Sequence, residues 1–258
     1  MHDDSIGNFS AFRREWVVRG RNFGDGQVEV TATRFDRYMG AQSLNARPKA
    51  KRGESEKSEQ NLLDAAKRAK QQVRLRCKAI GADRMITLTY ESNMTDKAVL
   101  KRHFDAFRRR MGRFRDFHYV AVAERQERGA WHMHVAVKGR VVYNLVRSIW
   151  RSVIGEQARV HVANPFREKG LRHKLASYLS KYMTKDLAEH ALNEKRYWTS
   201  RGIVVPDVMP IDHLLSDNAG EAIKVAFDAA LKVGCVLDRC QVFWSQGLGC
   251  FWLSTREN

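Results

Sequence analysis

Apolar positions along this chain change period several times, and each change marks a predicted element. RMITLTY at 84–90 is rich in β-branched residues and alternates enough for a strand. Thr95 and Asp96 then offer a cap, and a helix is predicted from about 96 to 111. A strand at 117–125, a short turn and a strand at 131–138 read as a hairpin. GRVVYNLVRSIWRSVIG places Val142, Leu145, Val146, Ile149 and Val153 at helical spacing, and QARVHVA at 157–163 is strand-like again.

That order, βαββαβ, predicts an α+β fold. It is the split βαβ arrangement of ferredoxin-like and RRM-like domains, an antiparallel sheet with two helices on one face. One more helix is expected at about 170–187. Upstream, EQNLLDAAKRAKQQVRLRCKA at 59–79 is rich in helix formers, with Gly81 as its stop.

Outside this core the pattern is less regular. EWVVRGRNFGDGQVEVTAT at 15–33 reads as a hairpin around Gly-Asp-Gly. Residues 41–58 are polar, charged and without period, so the main boundary is placed there. KRYWTSRGIVV at 195–205 follows the last core helix, and 218–254 reads as one helix (218–233) and two final strands. The expected organisation is an N-terminal extension at 1–57, a core at 58–205 and a C-terminal mixed extension at 206–258.

Charge narrows the choice of partner. The 258 residues carry 46 Lys and Arg against 29 Asp and Glu, a net +17 that favours a polyanion, with nucleic acid first. No 18-residue apolar run exists and the basic segments lack a lipid-seeking face, so no membrane role is expected. The start, MHDDSIGNFS, lacks the basic and apolar regions of a secretory signal, which predicts a cytoplasmic protein. Cys77, Cys235, Cys240 and Cys250 form no CxxC pair and are read as reduced thiols rather than a zinc site. No GxxxxGK[ST] motif occurs, so any helicase would act in trans.

The strongest chemical pattern is AERQERGAWHMHVAV at 123–137. His132 and His134 are two apart on a strand and project from one face. If Glu127, Arg128 and Gly129 form a three-residue loop with Gly129 left-handed, the pairing sets Glu124 opposite His132. Two imidazoles and a carboxylate with open positions suit a catalytic divalent metal better than a closed structural site. The competing reading is two half-exposed strand histidines and a surface acid.

LRHKLASYLSKYMTKDL at 171–187 puts Leu175, Ala176, Leu179, Met183 and Leu187 on one side of a helix. Tyr178, Lys181, Tyr182 and Lys185 form a separate stripe at i, i+3, i+4 and i+7. Phenols alternating with ammonium groups suit attack on a phosphate, because a phenol of pKa about 10 needs help to become a nucleophile. The alternative is tyrosines at the core edge beside solvated lysines. DKAVLKRHFDAFRRRMGRFRD supplies candidate DNA contacts in Lys97, Lys101, Arg108, Arg109, Arg110, Arg113 and Arg115. Phe104 and Phe107, interleaved with them, are read as packing on the sheet.

Taken together, ITLTY, then Glu124 with WHMH, then YLSKYMTK resemble the three ordered motifs of HUH endonucleases, over about residues 60–205. The tandem YxxK is similar to the two-tyrosine branch, which contains rolling-circle replication initiators of plasmids and phages. The resemblance implies Glu124, His132 and His134 as ligands of Mg²⁺ or Mn²⁺, and Tyr178 and Tyr182 as nucleophiles. It also implies single-stranded or hairpin origin DNA as substrate, a 5′-phosphotyrosine intermediate, and a 3′-hydroxyl left for a host polymerase. A relaxase or single-strand transposase would use the same groups. A non-catalytic origin-binding module on the same fold is the alternative of another class, and a zinc deaminase is disfavoured by its missing cysteine ligands.

Overall fold

The computed structural model describes residues 12–24, 26–40, 58–155, 157–163, 175, 178–179, 195–233 and 240–255, and the chain divides into two units, 50–205 and 1–49 with 206–258. In chain order the elements are β1 (Phe12–Asn22), β2 (Val28–Tyr38), α1 (Ser58–Ala79), β3 (Arg84–Tyr90), α2 (Lys97–Met111), β4 (Tyr119–Arg125) and β5 (Trp131–Val137). They continue with α3 (Tyr143–Ile154), β6 (Ala158–Ala163), β7 (Trp198–Thr199), β8 (Met209–Leu214), α4 (Ala219–Lys232), β9 (Cys240–Ser245) and β10 (Cys250–Thr255). The predicted linker at 41–58 falls almost wholly outside the described residues, as does most of the predicted helix at 170–187.

In the unit 50–205 the sheet order is β6-β3-β5-β4-β7, all neighbours antiparallel. Its first four strands follow the order a split βαβ chain must give, since β5 inserts between the two strands that α2 connects. The α+β expectation holds. The period-2 alternation sorts each strand between two cores. Ile86, Leu88, Met133 and Val135 face Phe104 and Phe107 of α2 and Trp150 of α3. Met85, Val120, Val122 and Ala136 face Ala69, Val73 and Cys77 of α1, with Leu175 and Leu179. Thus α2 and α3 share one face, as expected, and α1 covers the other.

Every residue of β5 is buried, which is why WHMHVAV lacks the polar alternation of a one-sided strand. Phe107 has no exposed surface, so Phe107→Ala is expected to cost about 3–5 kcal/mol in lost transfer and a residual cavity. Asp96 caps α2, accepting from the Ala98 and Val99 backbone amides at 2.7 and 3.2 Å, an interaction of about 1 kcal/mol. The α3 helix stops at Gly155, which takes the left-handed conformation at φ 73°.

The two chain ends, read separately from the sequence, lie in one sheet of order β8-β1-β2-β10-β9. The first hairpin is longer than its apolar run, pairing Phe12↔Tyr38 through Asn22↔Val28. β10 pairs with β2, for example Leu253↔Val30. α4 lays Ala222, Ala226 and Ala230 against Trp16, Val18, Val30 and Phe251, small residues one turn apart that let helix and sheet approach closely. β8 has no counterpart in the sequence pattern. MPIDHL contains Pro210 and is exposed almost throughout, the composition of an edge strand with no buried face to pattern it.

Also in this unit, the fully buried Glu15 carboxylate meets Arg13 Nη2 at 2.5 Å and His213 Nε2 at 2.7 Å, with Arg37 at 4.0 Å. Burial pushes its pKa up, but the bonds from Arg13 and His213 more than offset this and hold it below the ordinary carboxylate value. Cys77 and Cys250 are free thiols, and Cys235 lies outside the described residues. Among the described residues no helix is long and apolar enough to cross a membrane.

Candidate functional site

The β4–β5 turn sets the register of the site. Gly129 takes φ 87°, its amide bonds the Gln126 carbonyl at 2.8 Å, and the Gln126 amide bonds the Ala130 carbonyl at 2.9 Å. This is the three-residue loop expected at 127–129, and it pairs Glu124 with His132 and Val122 with His134. A β-carbon on Gly129 would impose strain at that φ, and a one-residue slip would turn both histidines to the opposite core.

The side chains of Glu124, His134 and Thr87 then meet. His134 Nε2 lies 2.7 Å from Glu124 Oε2, and its other ring nitrogen, Nδ1, lies 3.1 Å from the hydroxyl of Thr87, the residue paired with it on β3. His132 is buried and its Nε2 meets no hydrogen-bond partner. Burial, reinforced by repulsion from His134, pushes the His132 pKa down to about 4, against the opposing pull of Glu124. His132 is therefore a neutral imidazole at physiological pH.

Tyr178, helical like Leu175 and Leu179, reaches this cluster. Leu175 and Leu179 are buried against the sheet, while Tyr178 is 44% exposed, its ring 6.4 Å from that of His134 and nearly perpendicular. Spacing of one helical turn explains how two leucines anchor the segment and leave the phenol at the rim. Lys181, Tyr182 and Lys185 lie outside the described residues.

An N, N, O donor set with a neutral imidazole and an unpartnered ring nitrogen has the chemistry to hold a divalent cation. In this structure, however, Glu124 and His134 bond each other directly. Among the described residues no group of three or more His, Cys, Asp or Glu side chains stands in a metal-holding arrangement. Sequence reasoning misses Thr87. Its signal is present in ITLTY, where it shares the alternating face of the strand, but its pairing with His134 is not local.

The predicted basic contacts separate in space. Lys101, Arg108 and Arg115 line one cavity beside β7, while Lys97 sits over the Trp131 ring at 4.9 Å. Arg108 is tied to Asp105 at 2.7 Å, and Arg110 donates to the Ser152 hydroxyl. Arg109 and Arg113 are exposed. Phe104 and Phe107 pack on the sheet, as expected, leaving Phe114 exposed. Of the other histidines, His103 bonds the Tyr90 hydroxyl at 3.0 Å and His213 bonds Glu15.

Residues 83–187 match the model of the family described as replication-associated protein ORF2/gene 2 protein. That span lies inside the unit 50–205 and holds the Glu124, His132, His134 and Tyr178 cluster. The likeness supports a replication-associated protein with DNA as its partner. No curated protein and no solved structure matches the chain significantly.

Proposed function

We propose that this replication-associated core nicks and rejoins single-stranded origin DNA by tyrosine attack, as an HUH initiator of rolling-circle replication. The observation that carries the reading is that Glu124, His132 and His134 share one sheet face, with Glu124 bonded to His134 and Tyr178 beside it. A purely structural sheet has no need to bring a carboxylate, two imidazoles and a phenol onto one face.

Glu124, His132 and His134 would hold Mg²⁺ or Mn²⁺, which when bound supplies Lewis-acid polarisation of the scissile phosphate. Thr87 would act as a positioning residue. With its hydroxyl accepting from the Nδ1 proton of His134, the Nε2 lone pair is left available as a donor. Cation binding then requires the direct bond between Glu124 and His134 to open.

In the reaction, the Tyr178 phenol loses its proton and its oxygen bonds to phosphorus. The bond from phosphorus to the 3′-oxygen breaks, and that oxygen takes up a proton as a 3′-hydroxyl. The phosphotyrosine conserves the phosphodiester energy, so rejoining reverses the same exchange. Tyr182 is assigned the second transfer, with Lys181 and Lys185 offsetting charge on the phosphate. A host helicase and polymerase would act in trans, in the cytoplasm.

Incubation with labelled origin-like hairpin DNA and Mn²⁺, followed by a denaturing gel, tests the reading. A covalent protein–DNA band is expected from the parent chain and from at least one of Tyr178→Phe and Tyr182→Phe, and none from the double variant. Absence of a band across a broad set of hairpins, with DNA binding intact, would favour the binding module instead.

A further inference from the structure

A groove of about 1300 Å³ runs along the β7 edge of the core. We infer that it is a binding site for the backbone of a single-stranded DNA segment, separate from the tyrosine site. The choice of DNA as the polyanion rests on the proposed nickase reading. The volume exceeds the roughly 300–1,000 Å³ of drug-sized ligand pockets, which points to a stretch of polymer.

Its lining is strongly cationic. Arg76, Lys101, Arg108, Arg115, Lys195 and Arg201 contribute, against only Asp105 and Asp116. Asp105 is already bonded to Arg108. Arg115 is fixed by donation to the backbone carbonyls of Lys138 and Arg140, at 2.5 and 3.0 Å, bonds that leave its charge uncompensated. Lys101, Lys195 and Arg201 are exposed and meet no acidic partner among the described residues.

A second, independent feature asks for acceptors. Trp198, only 8% exposed, and Arg76 each carry a buried donor, Nε1 and Nε respectively, with no hydrogen-bond partner. The other tryptophans of this unit are satisfied, Trp131 by the Thr95 carbonyl at 2.9 Å and Trp150 by the Thr89 carbonyl at 3.0 Å. Unmet buried donors are costly, and side-chain shifts that expose them to the phosphate and sugar oxygens of a bound strand would relieve them. The groove is not part of the tyrosine site. None of its lining residues belongs to that cluster: Trp198 sits opposite Ala121, three residues from Glu124 along β4, about 10 Å, and Tyr119 is five residues away, about 17 Å. Phosphate contacts position a strand without reading its sequence, so this site should be indifferent to base identity.

The test uses the full chain in EDTA and fluorescence anisotropy with labelled oligothymidylate and a mixed-sequence single strand, across a salt series. Lys195→Ala with Arg201→Ala should weaken binding about tenfold on both strands and lower the salt slope by about two phosphate contacts. Trp198→Phe should weaken it about threefold. Arg147→Ala with Arg151→Ala, on exposed residues of α3 outside the groove, should change neither quantity.

Equal losses from both pairs, or none from the first, would overturn the site. So would a polyglutamate peptide that binds with the same dependence on Lys195 and Arg201. Failure of the groove and failure of the nickase reading are separable. A Mn²⁺-dependent adduct together with unaltered binding by the groove pair removes only the groove, whereas groove-dependent binding without any adduct removes only the nickase.

Discussion

The two units of this chain divide its charge very unequally. Residues 50–205 hold 34 Lys and Arg against 16 Asp and Glu, whereas 1–49 with 206–258 hold 12 against 13. The entire excess that made nucleic acid the leading partner therefore belongs to one unit, the same one that carries the Glu-His-His-Tyr cluster and the basic groove. A whole-chain charge hides this. The near-neutral unit spends its arginines on its own acids, Arg13 on Glu15 and Arg14 on Asp36 and Asp217, while much of the basic unit's charge has no acid to meet. Long-range attraction for DNA should follow that division.

The largest expected effect is on chemistry. His132→Ala should abolish covalent adduct formation in Mn²⁺ while leaving single-strand affinity within about threefold, because affinity comes from phosphate contacts elsewhere in the unit. Gel assay and anisotropy on the same preparation check this, and parallel loss of both would merge chemistry and affinity into one site. Thr87→Val should be milder, lowering cleavage about 10- to 100-fold, as removal of a partner that orients a ligating histidine does. A higher Mn²⁺ requirement in the variant would separate this role from simple packing.

Salt dependence measures the contrast between units directly. Arg109→Ala with Arg113→Ala, in the basic unit, should lower the salt slope of DNA binding by up to about two contacts. Arg14→Ala with Arg37→Ala, in the neutral unit, should leave it unchanged. A lowered slope from the second pair would show that the near-neutral unit also contacts phosphate.

The smallest effect concerns acid stability of the near-neutral unit. The folded Glu15 pKa lies below its unfolded value, so the stabilisation by Arg13 and His213 is complete above about pH 4.3. Below that the unfolded chain takes up a proton first, and the contribution is lost as the pH falls through the lowered folded value. Thermal melts from pH 7 to pH 3 should show this acid-side loss in the parent and a flatter profile in Glu15→Gln.

Local geometry was readable in the sequence itself. The loop of Glu127, Arg128 and Gly129 joins adjacent strands, so a glycine able to take positive φ was enough to place Glu124 opposite His132. The Asp96 cap, the Phe104 and Phe107 core positions and the βαββαβ order are legible for the same reason. Each depends on residues within a few turns or on a period that burial imposes.

Contacts between distant segments were not readable. Thr87 reaches His134 across 47 residues, and no local rule aligns β3 with β5. Arg76, Lys195 and Arg201 meet around one groove from α1 and the segments flanking β7, so their joint charge has no signature in any sequence window. The pairing of β2 with β10, which joins the two chain ends in one sheet, is of the same kind. Sequence alone determined which faces and turns could form, because those are set by periodicity and backbone sterics. Only the tertiary structure decided which faces meet, because that choice rests on shape and burial shared between segments far apart in the chain.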